Sequence, residues 1–420
     1  MIDTSDATLA AAPEARRLRF AALEVPRFRW YWIVSWISNT GDGMETVIRN
    51  LLVLQLTGAS APLWLGLMVF AHWVPFTLFS LYGGVLADRH DPRKVQLVAQ
   101  VLLMAAALGV AVTTIAGSVT EWWIFGFLLL HGFAGAIGNP AQQTLVHAIV
   151  GRDRLLSAVS LSSAVRQLSQ IVGPAIAGLI YVAFGPGWGF AINALTFLPL
   201  LVFLMVARIP RARIEAVRLP AAEAIRETVG ALRARPALVA IILAETLPVV
   251  LLGHAFQSLV PVFARDQLRV DALGYAYLVV ASGVGALAAT AYLAYARLGR
   301  RPLTLVIGAA MLEVAGILAF ALSGSYVLSL GLMAVIGAST LLSQAIANTT
   351  IQLSVPDRIR GRMMGTYSFG TQGMRVVNGP VLGGLAQAMG PATAVAGSAV
   401  VVLGALVAFA VRFARRPPQQ

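Results

Sequence analysis

Asp42, Glu45 and Arg49 stand three and four residues apart inside an otherwise apolar stretch. At helical periodicity this spacing puts all three on one face. Ionisable groups in a hydrocarbon-length segment are costly, and they normally face protein or a water-filled space. Glu45 and Arg49 have ion-pair spacing, and a structural pair is one reading of them. Two carboxylates set against one guanidinium leave a negative charge over, which is what a proton-coupled site requires. Glu245, near Pro248, occupies a corresponding place in a later apolar stretch and is a second candidate for substrate or proton binding. His254 and Gln257 share a face further along and are expected in an outer vestibule, while Glu313 is expected to make a structural polar contact. Arg166, among Gln167, Ser169 and Gln170, and Arg375, beside Asn378, are the cationic candidates. Each either meets an anionic substrate group or a buried carboxylate, or extends toward the aqueous face. Trp73 has two readings, a cavity wall or, the commoner case, a lipid contact, and His131 is expected to pack without a functional partner.

A different group of residues lies in the hydrophilic turn Gly84-x-x-x-Asp88-Arg89-x-x-x-Arg93-Lys94. A charged, proline-containing turn between two apolar segments reads as a tight aqueous connection able to latch two helices in one state of a moving protein. Asp88 is expected near the first free N–H groups of the following helix, where a carboxylate is favoured.

Several chemistries are excluded. The chain has no cysteine, and its five histidines show no metal-ligand spacing. No phosphate-binding Gly-x-x-x-x-Gly-Lys-Ser/Thr loop occurs, and no nucleophile and base set is recognisable. The sequence therefore predicts no enzyme and no cofactor other than protons as a coupling ion. A net charge of +13 raises the question of nucleic acid, but the arginines fall in short clusters between apolar runs, with no single basic face. The expected partners are a small-molecule substrate and membrane lipids, with no nucleic acid and no obligate protein partner.

The elements that must position these residues follow from composition. Of the 420 residues 58% are hydrophobic and only 12% charged, and the mean hydropathy is +0.79. A soluble surface needs more charge than that. Twelve transmembrane helices are predicted, at 30–56, 63–87, 95–116, 122–146, 155–183, 188–207, 238–263, 273–295, 303–322, 326–353, 363–388 and 392–413. Arginine-rich segments alternate with segments that hold only Arg265 and Arg269, each beside an Asp. That bias puts both termini and the central loop in the cytoplasm. The opening stretch shows no cleavable signal-peptide pattern. Trp30, Tyr31, Trp122, Trp123, Trp188, Tyr275 and Tyr277, near helix ends, are expected as interfacial anchors.

The two halves echo one another. Gly173-Pro174-x-x-x-Gly178 corresponds to Gly379-Pro380-x-x-Gly383-Gly384, Asn139 to Asn348, and Asp153-Arg154 to Asp357-Arg358. The turn at Asp88 has a worn copy at Ala296-Arg297 and Arg301. Repeats of this kind predict a pseudo-symmetric pair of six-helix bundles with a site between them. The predicted organisation is a cytoplasmic segment 1–29, a first bundle 30–207, a cytoplasmic linker 208–237 with an amphipathic helix from Ala221, a second bundle 238–413 and a tail 414–420.

The Gly84–Lys94 motif, with its position and the helix count, resembles the signature loop of the major facilitator superfamily. That resemblance implies the all-α major facilitator fold of an integral membrane protein and transport by alternating access. Over nearly the whole chain the sequence is similar to the branch holding bacterial enterobactin exporters and macrolide and multidrug efflux proteins. Gly173-Pro174-x-x-x-Gly178 resembles the antiporter motif of proton-coupled exporters, although Ala177 stands where the motif tends to have a glycine. Where many drug exporters have an embedded arginine on the fourth helix, this chain has Leu128 before Gly132. The resemblance implies a multi-pass exporter of drug-like or siderophore-like molecules in a bacterial plasma membrane, driven by proton antiport. An importer or lipid transporter on the same scaffold, or a non-transporting receptor, is the alternative.

Overall fold

The computed structural model describes residues 20–151, 153–207, 209, 221–295 and 302–414. Gly84 and the side chains of Asp88, Arg89, His254, Asp357 and Arg358 lie outside the described residues, as do Ala296, Arg297, Arg301 and the linker residues 210–220. Arg93 is the described member of the expected latch.

The described residues form helices, with no strand among them. In chain order these are α1 (Pro26–Thr57), α2 (Ala61–Arg89), α3 (Pro92–Ile115), α4 (Glu121–Val150), α5 (Leu155–Thr196), α6 (Leu198–Val206), α7 (Ala221–Ala234) and α8 (Pro236–Leu251). They continue with α9 (Gly253–Asp266), α10 (Ala272–Tyr295), α11 (Pro302–Leu322), α12 (Tyr326–Ser354), α13 (Asp357–Ser368), a π-helical turn Phe369–Gly373, α14 (Arg375–Met389) and α15 (Pro391–Ala414). Proline opens α1, α3 and α8, where its missing N–H and fixed φ cost nothing. The left-handed Gly185 (φ 78°) turns the chain inside the long helical run of α5.

Among the described residues nine stretches are long and apolar enough to cross a membrane. Two of them, Pro26–Phe79 and Leu155–Val206, run 54 and 52 residues and contain the breaks at Gly58 and Gly185. Large apolar side chains such as Leu78, Leu156, Val206 and Leu353 point outward. An apolar exterior of this extent suits lipid and not water. The protein is an all-α, multi-span membrane protein.

Trp30, Trp122, Trp123 and Trp188 are exposed near helix ends, as expected of interfacial anchors. Tyr31 and Tyr275 are not: both are buried, and Tyr275 accepts a hydrogen bond from Asn50 Nδ2 at 3.1 Å. For Tyr275 a polar tip with a partner inside the protein outweighs the interface, whereas the Tyr31 ring packs against Phe28 and Phe203.

Helices of the first half of the chain pack mainly among themselves (α1 on α5, α2 on α4), as do those of the second half (α10 and α11 on α12). The most extensive contacts between the halves are α2 with α14 and α5 with α10, and α9 adds smaller ones to α2 and α1. Glycine makes these approaches close. A methyl group on Gly173 would lie 2.7 Å from the Thr40 carbonyl oxygen, and one on Gly43 would lie 2.7 Å from that of Ser169. Gly379 faces Gly66 of α2 across a backbone contact that no side chain would fit. The repeated Gly-Pro motif thus does two jobs: Gly173 seats α5 on α1 within the first half, whereas Gly379 seats α14 on α2 across the halves. Gly178 joins the cross-half contact too, with its Cβ position 2.8 Å from Ala276 Cβ. Pro174 and Pro380 lie inside α5 and α14.

At the α2–α3 turn the cap of α3 is Asp91, and Asp88 stands at the end of α2 with its side chain outside the described residues. Asp91 Oδ1 accepts from Arg93 N at 3.0 Å, because Asp91 is the residue before the first helical turn while Asp88 still belongs to α2. The Arg93 guanidinium reaches across to donate to the Leu204 and Met205 carbonyl oxygens at the end of α6. Those carbonyls have no helical partner, and a cation is favoured beside them. The expected helix near 221 forms as α7, tied to α13 by Glu227 and Arg362 at 2.8 Å.

Candidate functional site

The three charged positions on α1 share a face, as their spacing requires. Arg49 Nη1 donates to Glu45 Oε1 at 2.8 Å, and Glu45 is buried. This pairing leaves Asp42 outside it: Asp42 Oδ1 is buried without a hydrogen-bond partner. The excess negative charge expected from the sequence therefore falls on Asp42.

All three line a cavity of about 430 Å³ between helices of both halves of the chain. The first half contributes His72 and Trp73 from α2, His131 from α4, and Gln167 and Gln170 from α5; the second half contributes Gln257, Tyr275, Thr340 and Arg375. Its charged lining residues are Asp42, Glu45, Arg49 and Arg375, two of each sign. The volume lies in the range of small-molecule sites, and the wall is largely polar, with Trp73 and Tyr275 as its aromatic surfaces. The Arg375 guanidinium sits 4.7 Å from the centre of the Trp73 ring, and its Nε donates to the Thr371 carbonyl at 3.1 Å. Cation and ring come from opposite halves, so the stacking joins them. Of the two readings of Trp73 the structure takes the cavity wall and not the commoner lipid contact, with the ring 9% exposed. His131, expected to pack without a partner, stands with its ring 5.0 Å from that of His72.

The other candidates are placed elsewhere. Arg166 is exposed, donates to Ser163 Oγ at 2.9 Å one turn back, and lines neither cavity described here. The neutralising partner of Glu45 is Arg49 on the same helix, since a neighbour one turn away needs no second helix to present it. Glu245 is buried and accepts from Ser343 Oγ, away from the cavity lining. Glu313 has Thr340 as its hydrogen-bond partner. Gln257 does reach the cavity. It follows a break between α8 and α9 at Leu252 and Gly253, where Asn378 Nδ2 donates to the freed Val249 carbonyl at 2.7 Å. A broken helix bordering a cavity exposes backbone only where protein satisfies it.

A second, smaller cavity of about 190 Å³ lies beside the first, walled by Asp42, His131, Gln96, Gln100, Asn139 and Gln142 among others. Asp42, His72, Trp73 and His131 belong to both linings. Sequence reasoning missed Gln96, Gln100 and His131 as a group. Their one common signal is polarity inside apolar segments, and which segments adjoin is not encoded in spacing along any one of them. Among the described residues no group of His, Cys, Asp and Glu is placed to hold a metal ion.

Comparison with known proteins agrees with this geometry. A family profile described as transmembrane secretion effector matches residues 18–418. The chain is 25% identical over 408 residues to the enterobactin exporter EntS of Shigella boydii serotype 4, covering 94% of this chain and 95% of that protein. Among solved structures, the D-xylose-proton symporter superposes with a TM-score of 0.70 at 14% identity, covering 90% of this chain and 96% of the other. The nucleoside transporter NupG does so with a TM-score of 0.67 at 16% identity, over 92% and 98%.

Proposed function

The chain belongs to the transmembrane secretion effector family, and we propose that it works there as a proton-driven exporter of small molecules. It is a major facilitator superfamily transporter related to the enterobactin exporters, and hence a secondary transporter of small molecules across a membrane. Under the proposal twelve helices form two pseudo-symmetric bundles, residues 30–207 and 238–413, joined by the 208–237 linker. In support, the two runs of more than 50 residues are each too long for one crossing and are each broken by a glycine. The π-turn and α14 add a further apolar segment. Arginine bias puts both termini on the cytoplasmic side of a bacterial plasma membrane.

The observation that carries the proposal is Asp42: a carboxylate on the cavity wall whose neighbour Glu45 already holds the nearest guanidinium. With Asp42 ionised the four charged lining residues sum to zero; with a proton added the cavity gains one positive charge. A bound proton therefore changes the cavity's affinity for a charged substrate, and by linkage the substrate changes its affinity for the proton. Alternating access follows when the two bound states favour different conformers. The cross-half contacts at Gly66–Gly379 and Gly178–Ala276 close one end of the cavity. On the proposed topology that end is the outer one. Arg93, bridging to the end of α6, braces the inner end of the first bundle, where Gly84, Asp88 and Arg89 complete the proposed latch.

The substrate is amphipathic, with Trp73, Tyr275 and the histidines offering aromatic surface. Arg375 on the wall favours a second reading, in which an anionic catechol-type molecule like that of the related exporters is carried. Purified protein in proteoliposomes with an imposed pH gradient, offered a lipophilic cation, a macrolide and a catechol siderophore, tests both. Gradient-dependent movement lost in Asp42→Asn supports the proposal, and the compound moved chooses the substrate class. Gradient-dependent movement unchanged in Asp42→Asn refutes the assigned role.

A further inference from the structure

We propose that the 190 Å³ side chamber is water-filled and gives the coupling proton its own route to Asp42, separate from the cavity that takes substrate. The inference rests on the proton-driven reading above and adds a path to it.

The chamber is polar where its surroundings are apolar. Gln96 and Gln100 are 4% and 7% exposed, and the Oε1 atom of each is buried without a hydrogen-bond partner. Asp42 Oδ1 and His131 Nδ1 are in the same condition. Four such atoms on residues lining one void are not a packing accident, since each unsatisfied group costs about 1–3 kcal/mol. A polar void of this size holds water, which satisfies them.

The chamber also has a direction. Gln96, Ala99, Gln100 and Leu103 of α3 line it at helical spacing, so it follows one face of that helix. Gln96 lies one turn from the start of α3, about 6 Å by helical rise, next to the Asp91 turn. The void thus runs from Asp42 toward the cytoplasmic end of the proposed topology.

It is distinct from the substrate cavity. Asp42, His72, Trp73 and His131 form the shared wall, whereas Arg49, Thr340 and Arg375 line only the larger space and Gln96, Gln100 and Gln142 only the smaller. The titratable and charged groups around Asp42 are Glu45 and Arg49 on its own helix, His72 from α2, His131 from α4 and Arg375 from α14. The facing positions of α3 and α5 supply only amides, Gln96, Gln100, Gln167 and Gln170. A proton delivered from the amide side reaches Asp42 without crossing the guanidinium groups that face substrate. Proton and substrate then need not displace one another along a single path.

The absence of cysteine gives the test a clean background. Full-length Ala99→Cys in proteoliposomes is treated with the small cationic reagent methanethiosulfonate ethylammonium, with Thr340→Cys as the control for the larger cavity. Reaction requires a hydrated thiolate, so labelling of Ala99→Cys is expected, and labelling of Thr340→Cys alone overturns the proposal. In parallel, tetraphenylphosphonium flux is compared between wild type and Gln100→Leu. Flux driven by the pH gradient is expected to fall about tenfold, a typical coupling factor, with gradient-free counterflow unchanged. Gln100→Asn, which keeps an amide and leaves room for water, restores it. Equal loss of both fluxes, or loss of neither, overturns the route. If wild type does not move the probe under a gradient, the exporter reading fails for that probe. The route is then judged by proton uptake of purified protein after a pH jump, taken as wild type minus Asp42→Asn. Gln100→Leu must slow it, and unchanged uptake overturns the proposal.

Discussion

Arg49→Gln isolates the division of labour on α1. The substitution leaves Glu45 buried at 1% exposure, with Oε2 already lacking a partner and Oε1 losing its cation. Removing one partner of a buried ion pair costs about 3–5 kcal/mol, because the other is left uncompensated. Adding Glu45→Gln removes the stranded carboxylate, and the double variant is expected to recover most of that loss. Thermal midpoints in detergent at pH 7, at one heating rate, read the separation between the two variants. A double variant no better than Arg49→Gln refutes the assignment of Arg49 to Glu45.

Three further outcomes are expected. Gly383→Ala puts a methyl group 2.8 Å from the Pro62 carbonyl oxygen. It should disfavour the state in which α2 and α14 touch by about 1–3 kcal/mol, the usual cost of overpacking, read as faster labelling of Gln257→Cys from the outer side. Trp73→Ala removes the ring under Arg375 and should weaken binding of an aromatic cation while increasing that of a small anion, both measurable by equilibrium dialysis. Arg93→Ala strips two carbonyls at the end of α6 of their donor. It should lower the thermal midpoint, with Arg93→Lys a partial rescue because a point charge cannot bridge both oxygens in a fork.

What the sequence made legible was whatever is carried along one helix. Asp42, Glu45 and Arg49 share a face because their spacing is three and four, and Glu45 pairs with Arg49 because an ion pair one turn apart is local. The starts expected at 30, 95 and 238 lie within a few residues of Pro26, Pro92 and Pro236, and the break expected between 183 and 188 falls at Gly185. The helix from Ala221 was legible for the same reason. What failed depended on which helix lies next to which. Trp73 stays open between lipid and cavity until α14 brings Arg375 over its ring, and Tyr275 reads as an interfacial residue until α1 offers Asn50. Gly173 and Gly379 have one motif but different neighbours, because a motif says that a backbone can be approached and not by what.

The assignment of coupling to Asp42 over Glu45 rests on an asymmetry that spacing alone leaves open. Both residues sit on one face, and either one could pair with Arg49. A carboxylate one turn before an arginine is well placed for the ion pair; one that is seven residues before it is two turns away and is not. Glu45 is thereby held as a structural group whose protonation breaks a bond. Protonating Asp42 breaks none, since its buried oxygen has no partner to lose. A coupling site has to exchange its proton in every cycle without unfolding its surroundings, which is why the proposal puts coupling on Asp42. Asp42 lines both cavities, so under the same proposal a proton arriving from the amide-lined chamber and a substrate seated in the larger one would act on the same group from opposite sides.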